Sequence, residues 1–565
     1  MNSRYTKRDR DMRVLSNVNI AGMKRFLEER FPNESIQFAP YNHVAQEFLD
    51  PTSPLYTEAP RLVLMYLDSG ALFQQDGREI SEFDRAIEVA EARVTETLEP
   101  VTAYLNDNPQ ARVLVNTLAY PMADGVHSLD RNLRFHSTMI DAFNVGLSRW
   151  KTERQTDRLV ICDWAARAGR IGSSALYDER LWYVGRIPLS AQGQEELASL
   201  YARTARALSG KSKKVLVVDL DDTLWGGIIG EDKVGGIALG EDGIGKAYRD
   251  FQIQLRQLRS HGILLAIASK NNEGDVDQAF AEHPMMAVTY DDFVARKIGW
   301  GPKSESILQI SQELSLGLDS FVFIDDSPME RDMVRQTLPD VVVPEFPKDL
   351  FTINSWFECV AGEYFDTLLL TEEDRQRTEL YRADIERNTV SKQFANIEDF
   401  YHSLQMEMRV WIDHSEQSDR IMQLTQKTNQ FNLTTRRYEA SDIEGFFAAS
   451  DARVYDIELL DRYGSNGIVG VIITKIEGQS AEIDTFLLSC RVIGRNVESA
   501  FFAFVVNDLR KSGVKEITAE YIPSEKNAPA QGLLDQLGFE PGEGPRTFKP
   551  RQMEYPPYIR MRTNQ

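Results

Sequence analysis

Three cysteines in 565 residues, Cys162, Cys359 and Cys490, are too few and too scattered for a disulfide framework. They read as thiols in a reducing compartment. No apolar run approaches membrane-spanning length, and the basic start, Met1 to Met12, is not followed by an apolar signal core, so a cytoplasmic location is expected. Basic charge is also in short supply. Against 86 Asp and Glu stand 64 Lys and Arg, and the net charge of −22 argues against nucleic acid as a partner. Any phosphate-bearing ligand must therefore be held by a local site. Internal repeats and low-complexity tracts are absent.

What remains is the composition of a folded protein, 42% hydrophobic and 27% charged. The length is too great for one core and points to several domains. From Met12 to about Ser190, apolar runs such as Arg61 to Leu67 and Arg112 to Asn116 alternate with charged helical stretches, the pattern of strands with crossover helices. A polar helix is expected over Gln192 to Lys214, acting as a connector. Val215-Leu-Val-Val then reads as a buried strand and opens a second α/β domain. Ile263 to Ala268 and Ser320 to Ile324 supply two further buried strands, and the segment to about Phe351 reads as a parallel sheet. Charged helical sequence from about Thr371 to Asn388 leads to a C-terminal region. There Gly467 to Thr474 and Ala481 to Leu488 read as a hairpin, followed by a helix over Val497 to Lys511.

Each strand of the second domain ends in polar residues. Asp219 and Asp221 lie two apart just beyond the first, so in extended chain they share a face and can address one phosphorus atom, one attacking and the other delivering a proton. Ser269, Lys270 and Asn271 follow the second strand, and Asp325 and Asp326 follow the third. A hard cation with oxygen ligands would offset the carboxylate repulsion and the phosphate charge together. Singly, any of these acids reads as a turn or cap residue; three strand ends in this order say more. Lys303 sits in Trp300-Gly-Pro-Lys, where a helix start would also account for it, with Lys297 and Lys270 as substitutes.

Val215 to Leu224, Ala268 to Asn272, Lys303 and Phe323 to Pro328 resemble the motif set of the haloacid dehalogenase superfamily. The resemblance implies that Asp219 is a nucleophile forming an aspartyl-phosphate and Asp221 the general acid and base. It also implies that Ser269 binds phosphoryl oxygens, that Lys303 balances charge, and that Asp325 or Asp326 joins Asp219 and the Asp221 carbonyl around Mg²⁺. Thr223, Lys270 and Asn271 are expected substrate contacts. About fifty residues separate the first two motifs, too few for a large cap, which leaves room for a macromolecular carrier.

Ser489-Cys-Arg-Val-Ile-Gly-Arg-Asn496 lies between a predicted strand and a helix, where backbone N–H groups can face an anion. It resembles the acyl-carrier loop of the Gcn5-related acetyltransferase fold, with Asn527 to Ala530 and Leu537 to Phe539 resembling a later motif of that fold. Asn496 departs from the small residue usual at the end of the loop. Cys490, beside Arg491 and Arg495, is a candidate nucleophile toward an acyl phosphate; a buried structural cysteine is the alternative. His402 and His414 are the only histidines of this region, and neither is expected to serve as its base.

Asp219 to Gly227, Lys427 to Thr435 and Ser489 to Arg495 together make the chain resemble the FkbH-like proteins, which load glyceryl units for polyketide and related pathways. That resemblance implies a bifunctional glyceryl transferase and phosphatase. The enzyme would capture 1,3-bisphosphoglycerate as a Cys490 thioester, remove the 3-phosphate at Asp219 and load glyceryl onto the phosphopantetheine thiol of an acyl carrier protein. Arg491, Gly494, Arg495, Lys427, Asn429 and Asn432 are the expected substrate contacts on this side, although an Asn/Thr-rich turn explains the last two as well. The expected layout is a multidomain α/β chain: an SGNH-hydrolase-like domain over residues 1–200, a haloacid dehalogenase-like Rossmannoid domain over 210–355, a helical linker over 356–395 and an acetyltransferase-like domain over 396–565. Leu15-Ser16-Asn17 stands where the SGNH nucleophile block would lie, but Asp178 is followed by Glu-Arg-Leu-Trp182 and lacks the block's histidine. That domain is expected to be noncatalytic. Two other readings stay open: a stand-alone Mg-dependent phosphatase of a small phosphorylated acid or sugar, and a non-enzymatic assembly protein.

Overall fold

The computed structural model describes residues 11–73, 83–108, 110–120, 135–154, 157–208, 212–366, 376–391, 394, 396–438, 440–524, 527–542 and 544–563. The chain divides into two compact units, Met1–Arg206 and Ala207–Gln565.

In the first unit five short strands, β1 (Asp11–Ser16), β2 (Ser35–Phe38), β3 (Leu62–Tyr66), β4 (Arg112–Asn116) and β5 (Leu159–Cys162), form an all-parallel sheet in the order β2-β1-β3-β4-β5. β3 and β4 are buried from their second residue on, and their Val63, Met65, Val113 and Val115 pack with the helices Phe83–Asp107 and Phe135–Arg154. Ser16 closes β1 buried, its Oγ accepting from the Val18 N–H at 3.1 Å. Asn17 exchanges hydrogen bonds with the Asp68 backbone, and Asp178 caps the helix Glu179–Gly185 by accepting from the Leu181 N–H. The two residues thus hold turns in place. The helix expected over Gln192 to Lys214 runs over Ala191–Leu208, residues 209–211 lie outside the described residues, and 212–214 are not helical.

The second unit contains two sheets. Four parallel strands, β6 (Val215–Val218), β7 (Leu264–Ser269), β8 (Phe293–Ile298) and β9 (Phe321–Ile324), lie in the order β8-β7-β6-β9. This puts β6 in the middle with β7 and β9 on its two sides, so the three polar strand ends read from the sequence converge on one edge. The edge strand β8 escaped the sequence reading, because its exposed half, Arg296-Lys-Ile, looks like a charged turn. The interval between β6 and β7 is occupied by the helices Ile229–Gly236 and Gly243–Ser260, whose Ile229, Tyr248, Phe251 and Leu255 join the core of the sheet.

Seven strands form the second sheet: β10 (Met406–Ile412), β11 (Ala452–Asp461), β12 (Gly464–Glu477), β13 (Ser480–Leu488), β14 (Glu516–Ala519), β15 (Arg546–Phe548) and β16 (Ile559–Thr563), in the order β15-β14-β13-β12-β11-β10-β16. The β12–β13 hairpin and the helix Val497–Lys511 lie where the sequence placed them. β13 pairs with β14 in parallel only over Ser480 to Ile483. Beyond that the strands part, and the gap is filled by the chain's own Phe431 to Leu433: Leu433 and Leu488 donate to Phe486 and Phe431, and the Ile522 N–H donates to the Leu433 carbonyl.

Of the charged stretch from 371 to 388, residues 371–375 lie outside the described residues; the remainder belongs to the helix Arg377–Ser391. Tyr381 of this helix packs into the core of the first sheet beside Val215 and Phe321. Further along it Asp384 and Arg387 enter a buried ion cluster. Arg387 pairs with Asp384 at 2.8 Å and with Asp461 at 2.7 Å, and Arg495 pairs with Asp384 at 3.1 Å and with Asp461 at 3.6 Å.

Candidate active site

The residues beyond β6, β7 and β9 meet around Lys303. This lysine opens the helix Lys303–Leu314 and is 4% exposed, with its Nζ 2.9 Å from Asp219 Oδ2 and 2.5 Å from Asp325 Oδ2. Burial works against its charge, but the two carboxylates outweigh it and hold its pKa above the ordinary value. The other lysines considered are engaged elsewhere: Lys270 pairs with Glu330 at 2.6 Å, and Lys297 with Glu313 at 2.7 Å.

Asp219, Asp325 and Asp326 each place one carboxylate oxygen within 4.8 Å of the others. Burial drives the Asp219 carboxyl up to about 6 in spite of Lys303, and Asp325 adds to the rise. Asp325 and Asp326 are raised as well, first by burial. Asp219 Oδ1 is buried with no hydrogen-bond partner among the described residues. An orphaned carboxylate oxygen beside two further acids is a donor set suited to a hard divalent cation. Local bonds fix the ligand loop: the Ser327 N–H donates to Asp325 Oδ1, the Asp326 N–H donates to Thr223 Oγ1 at 3.0 Å, and Arg331 donates to the carbonyls of both Asp325 and Asp326. Thr223 is therefore a loop-positioning residue.

The Asp221 carboxylate is not part of that cluster. Its Oδ1 accepts from Trp225 Nε1 at 3.0 Å and from the Ile229 N–H at 3.1 Å, while Oδ2 accepts from Asn271 at 3.0 Å. Three donors aim this side chain, and they explain local sequence. Trp225 is fully buried, a side chain on Gly226 would meet the Tyr248 ring at 2.8 Å, and Gly227 takes φ +90° to let its N–H reach Asp222. The Trp-Gly-Gly triplet thus holds the acid. Asn271 also donates to Ser269 Oγ at 3.2 Å, so it joins β7 to the same network. Trp225 and Arg331 were not read from the sequence as site residues; the triplet itself was the available signal for the first.

The C-terminal candidates separate into two groups. Lys427, Asn429 and Arg491 line one cavity of ≈ 260 Å³, together with Ser489, Thr428 and Phe431. Arg495 does not reach it, being taken up by Asp384 and Asp461, and burial lowers its pKa. Asn432 is also fully buried away from it, accepting from the Thr434 and Thr435 N–H groups and closing its own turn. Gly494 takes φ +79° and its carbonyl accepts from Tyr401. Asn496 follows at φ +59°, a conformation asparagine tolerates, which accounts for it in place of a smaller residue. The backbone at Cys490 begins a 3₁₀ turn over Cys490–Val492; its side chain lies outside the described residues.

No protein-family model and no curated protein matches the sequence. Among solved structures, the N-terminal part of the Bacteroides fragilis protein BF1531, described as containing a phosphatase domain and complexed with Mg, matches at 26% identity and a TM-score of 0.57, covering 63% of this chain and 94% of that one. The Escherichia coli ribosomal-protein-S18-alanine N-acetyltransferase matches at 12% identity and a TM-score of 0.20 over 25% of this chain and 89% of that one. Tetrahymena GCN5 matches at 10% and 0.17 over 25% and 87%. At those two scores the likeness carries no argument about activity. The chain is a mixed α/β multidomain protein, similar over most of its length to a phosphatase-containing structure.

Proposed function

We propose that this chain is a Mg²⁺-dependent, aspartate-nucleophile phosphatase joined to an acyl transferase, acting on 1,3-bisphosphoglycerate and an acyl carrier protein. The observation that carries the reading is the convergence of Asp219, Asp325 and Asp326 on Lys303 at the ends of three parallel strands. The Mg described for the Bacteroides fragilis structure supports the choice of cation. Asp219, Asp325 and Asp326 would hold Mg²⁺, which when bound supplies charge neutralisation for the phosphoryl oxygens.

In the proposed reaction the Cys490 thiolate attacks the C1 carbonyl, and the bond from C1 to the 1-phosphate oxygen breaks, releasing inorganic phosphate. The phosphopantetheine thiolate of the carrier then attacks the thioester, the Cys490 thiolate leaves, and the carrier arm brings the 3-phosphate to Asp219, which attacks the remaining phosphorus. The bond from that phosphorus to the C3 oxygen breaks, and Asp221 supplies the proton the leaving alkoxide needs. Water hydrolyses the aspartyl-phosphate, with Asp221 accepting its proton. The glyceryl group stays on the carrier as its thioester. Trp225, the Ile229 N–H and Asn271 keep Asp221 aimed throughout.

Intact-mass spectrometry tests the covalent step. After exposure to 1,3-bisphosphoglycerate the chain should gain an acyl mass that maps to the peptide containing Cys490, and Cys490→Ala should lose it along with all carrier loading. Loading of the carrier at an undiminished rate by Cys490→Ala would overturn the thioester. Full phosphate release without any acyl retained would instead favour a stand-alone phosphatase.

A further inference from the structure

The cavity that gathers Lys427, Asn429 and Arg491 is not made by the C-terminal sheet and its helices alone. Lys214 and the loop Ser315 to Ser320 form one wall, Arg377 and Tyr381 of the helix Arg377–Ser391 a second, and Arg420 and Lys427 of the helix Ser418–Lys427 a third. Among the described residues, five basic ones, Lys214, Arg377, Arg420, Lys427 and Arg491, line it, against one acid, Asp319. In a chain with a net charge of −22 this concentration is a local reversal of sign. Several fixed contacts pre-set the cations: Arg377 donates to the Gly262 carbonyl at 2.8 Å, Arg420 to the Ile468 carbonyl at 3.3 Å and Arg491 to Ser489 Oγ at 3.2 Å. The like charges act on one another. Burial first, then Arg377, Arg420 and Lys214, pull the Lys427 pKa well below the ordinary lysine value. An anion in the cavity relieves that repulsion.

The cavity also stands at the opposite end of the first sheet from Asp219. Lys214 precedes β6 and Ser320 precedes β9, whereas Asp219 and Asp325 follow those strands. Five extended residues from Lys214 to Asp219 span roughly 16 Å. A three-carbon phosphate seated in one place does not reach the other.

We propose that this seam cavity is a second, metal-independent phosphate-binding site, which seats the phosphorylated small acid whose acyl end faces the Cys490 turn, and that the phosphatase sheet builds one of its walls. Ser489 and Arg491, which flank Cys490 in sequence, both line it. The assignment of the acyl end rests on the proposed transferase reading; the binding of phosphate does not.

The test uses the full chain carrying Asp219→Asn, in EDTA, titrated calorimetrically with 3-phosphoglycerate. One site per chain is expected, with affinity falling as salt rises. Adding Lys427→Met should weaken it at least about tenfold, equivalent to about 1.4 kcal/mol. Because Lys427 is held against its own charge, the methionine variant should melt no lower than its parent at pH 7, so weaker binding would not reflect unfolding. Absence of binding in EDTA, or equal affinity with Lys427→Met, would overturn the site. Cys490→Ala should bind the probe normally. If it does while the unmodified chain retains no acyl group, the transferase reading fails and the cavity assignment stands.

Discussion

Asp219→Asn is expected to lower release of the 3-phosphate by on the order of 10⁴-fold or more without lowering the melting temperature. The loss follows because the amide cannot form the acyl phosphate, while Lys303 keeps its second partner Asp325 at 2.5 Å. The stability side follows from the sign of the Asp219 shift. A carboxyl raised to about 6 is penalised in the fold as pH climbs from the ordinary carboxylate range to about 6, and the full penalty persists above that. Asparagine carries no such penalty. In EDTA at pH 7 the variant should therefore melt at or above its parent, and above pH 6 the gap should stop widening. Release of phosphate labelled at the 3-position and thermal melts across pH 4 to 8 check both halves. Activity within tenfold of the parent would remove Asp219 as the nucleophile.

A larger effect on stability is expected at Asp456. This residue of β11 is fully buried, and among the described residues neither carboxylate oxygen has a hydrogen-bond partner. Its cross-strand neighbour Val471 and its strand neighbour Val454 belong to an apolar cluster with Ile421, Met422 and Leu424. Burial alone raises its pKa to about 8. The unfolded carboxyl titrates near 4, so stability is greatest below that pH and is lost progressively as pH rises to about 8. At about 1.4 kcal/mol per pH unit the loss amounts to up to about 6 kcal/mol. Asp456→Asn should flatten this profile, leaving stability near pH 4 almost unchanged and raising the urea midpoint at pH 8.5. Parallel profiles for the two proteins would show that Asp456 finds a partner when ionised.

How much of this was legible beforehand depended on the range of the signal. β6, β7 and β9 were readable because buried parallel strands are unbroken apolar runs, and their polar ends were readable because each follows its strand directly. Lys303 was readable by its motif, though only the fold shows that it bridges Asp219 and Asp325 while Lys270 turns to Glu330. Arg495 misled because an arginine in an anion-loop pattern looks the same whether it meets a ligand or a carboxylate brought from 111 residues away. Asn432 likewise spends its side chain on its own turn. The seam cavity left no local signature. Lys214, Arg377 and Arg420 are ordinary surface-like cations in sequence and become a site only when two sheets and a helix close around them.

The buried cluster of Asp384, Arg387, Asp461 and Arg495 has a consequence for how this molecule can change. Its four charges come from the intervening helix, from the end of β11 and from the loop ahead of the last long helix, and breaking any part strands the others in a low-dielectric interior. The same helix sends Tyr381 into the other sheet. One helix thus fastens both sheets. A gene fragment ending before residue 377 would take Tyr381 from the first sheet, and one starting after residue 391 would leave Arg495 without Asp384, so neither sheet keeps its packing when cut from the other.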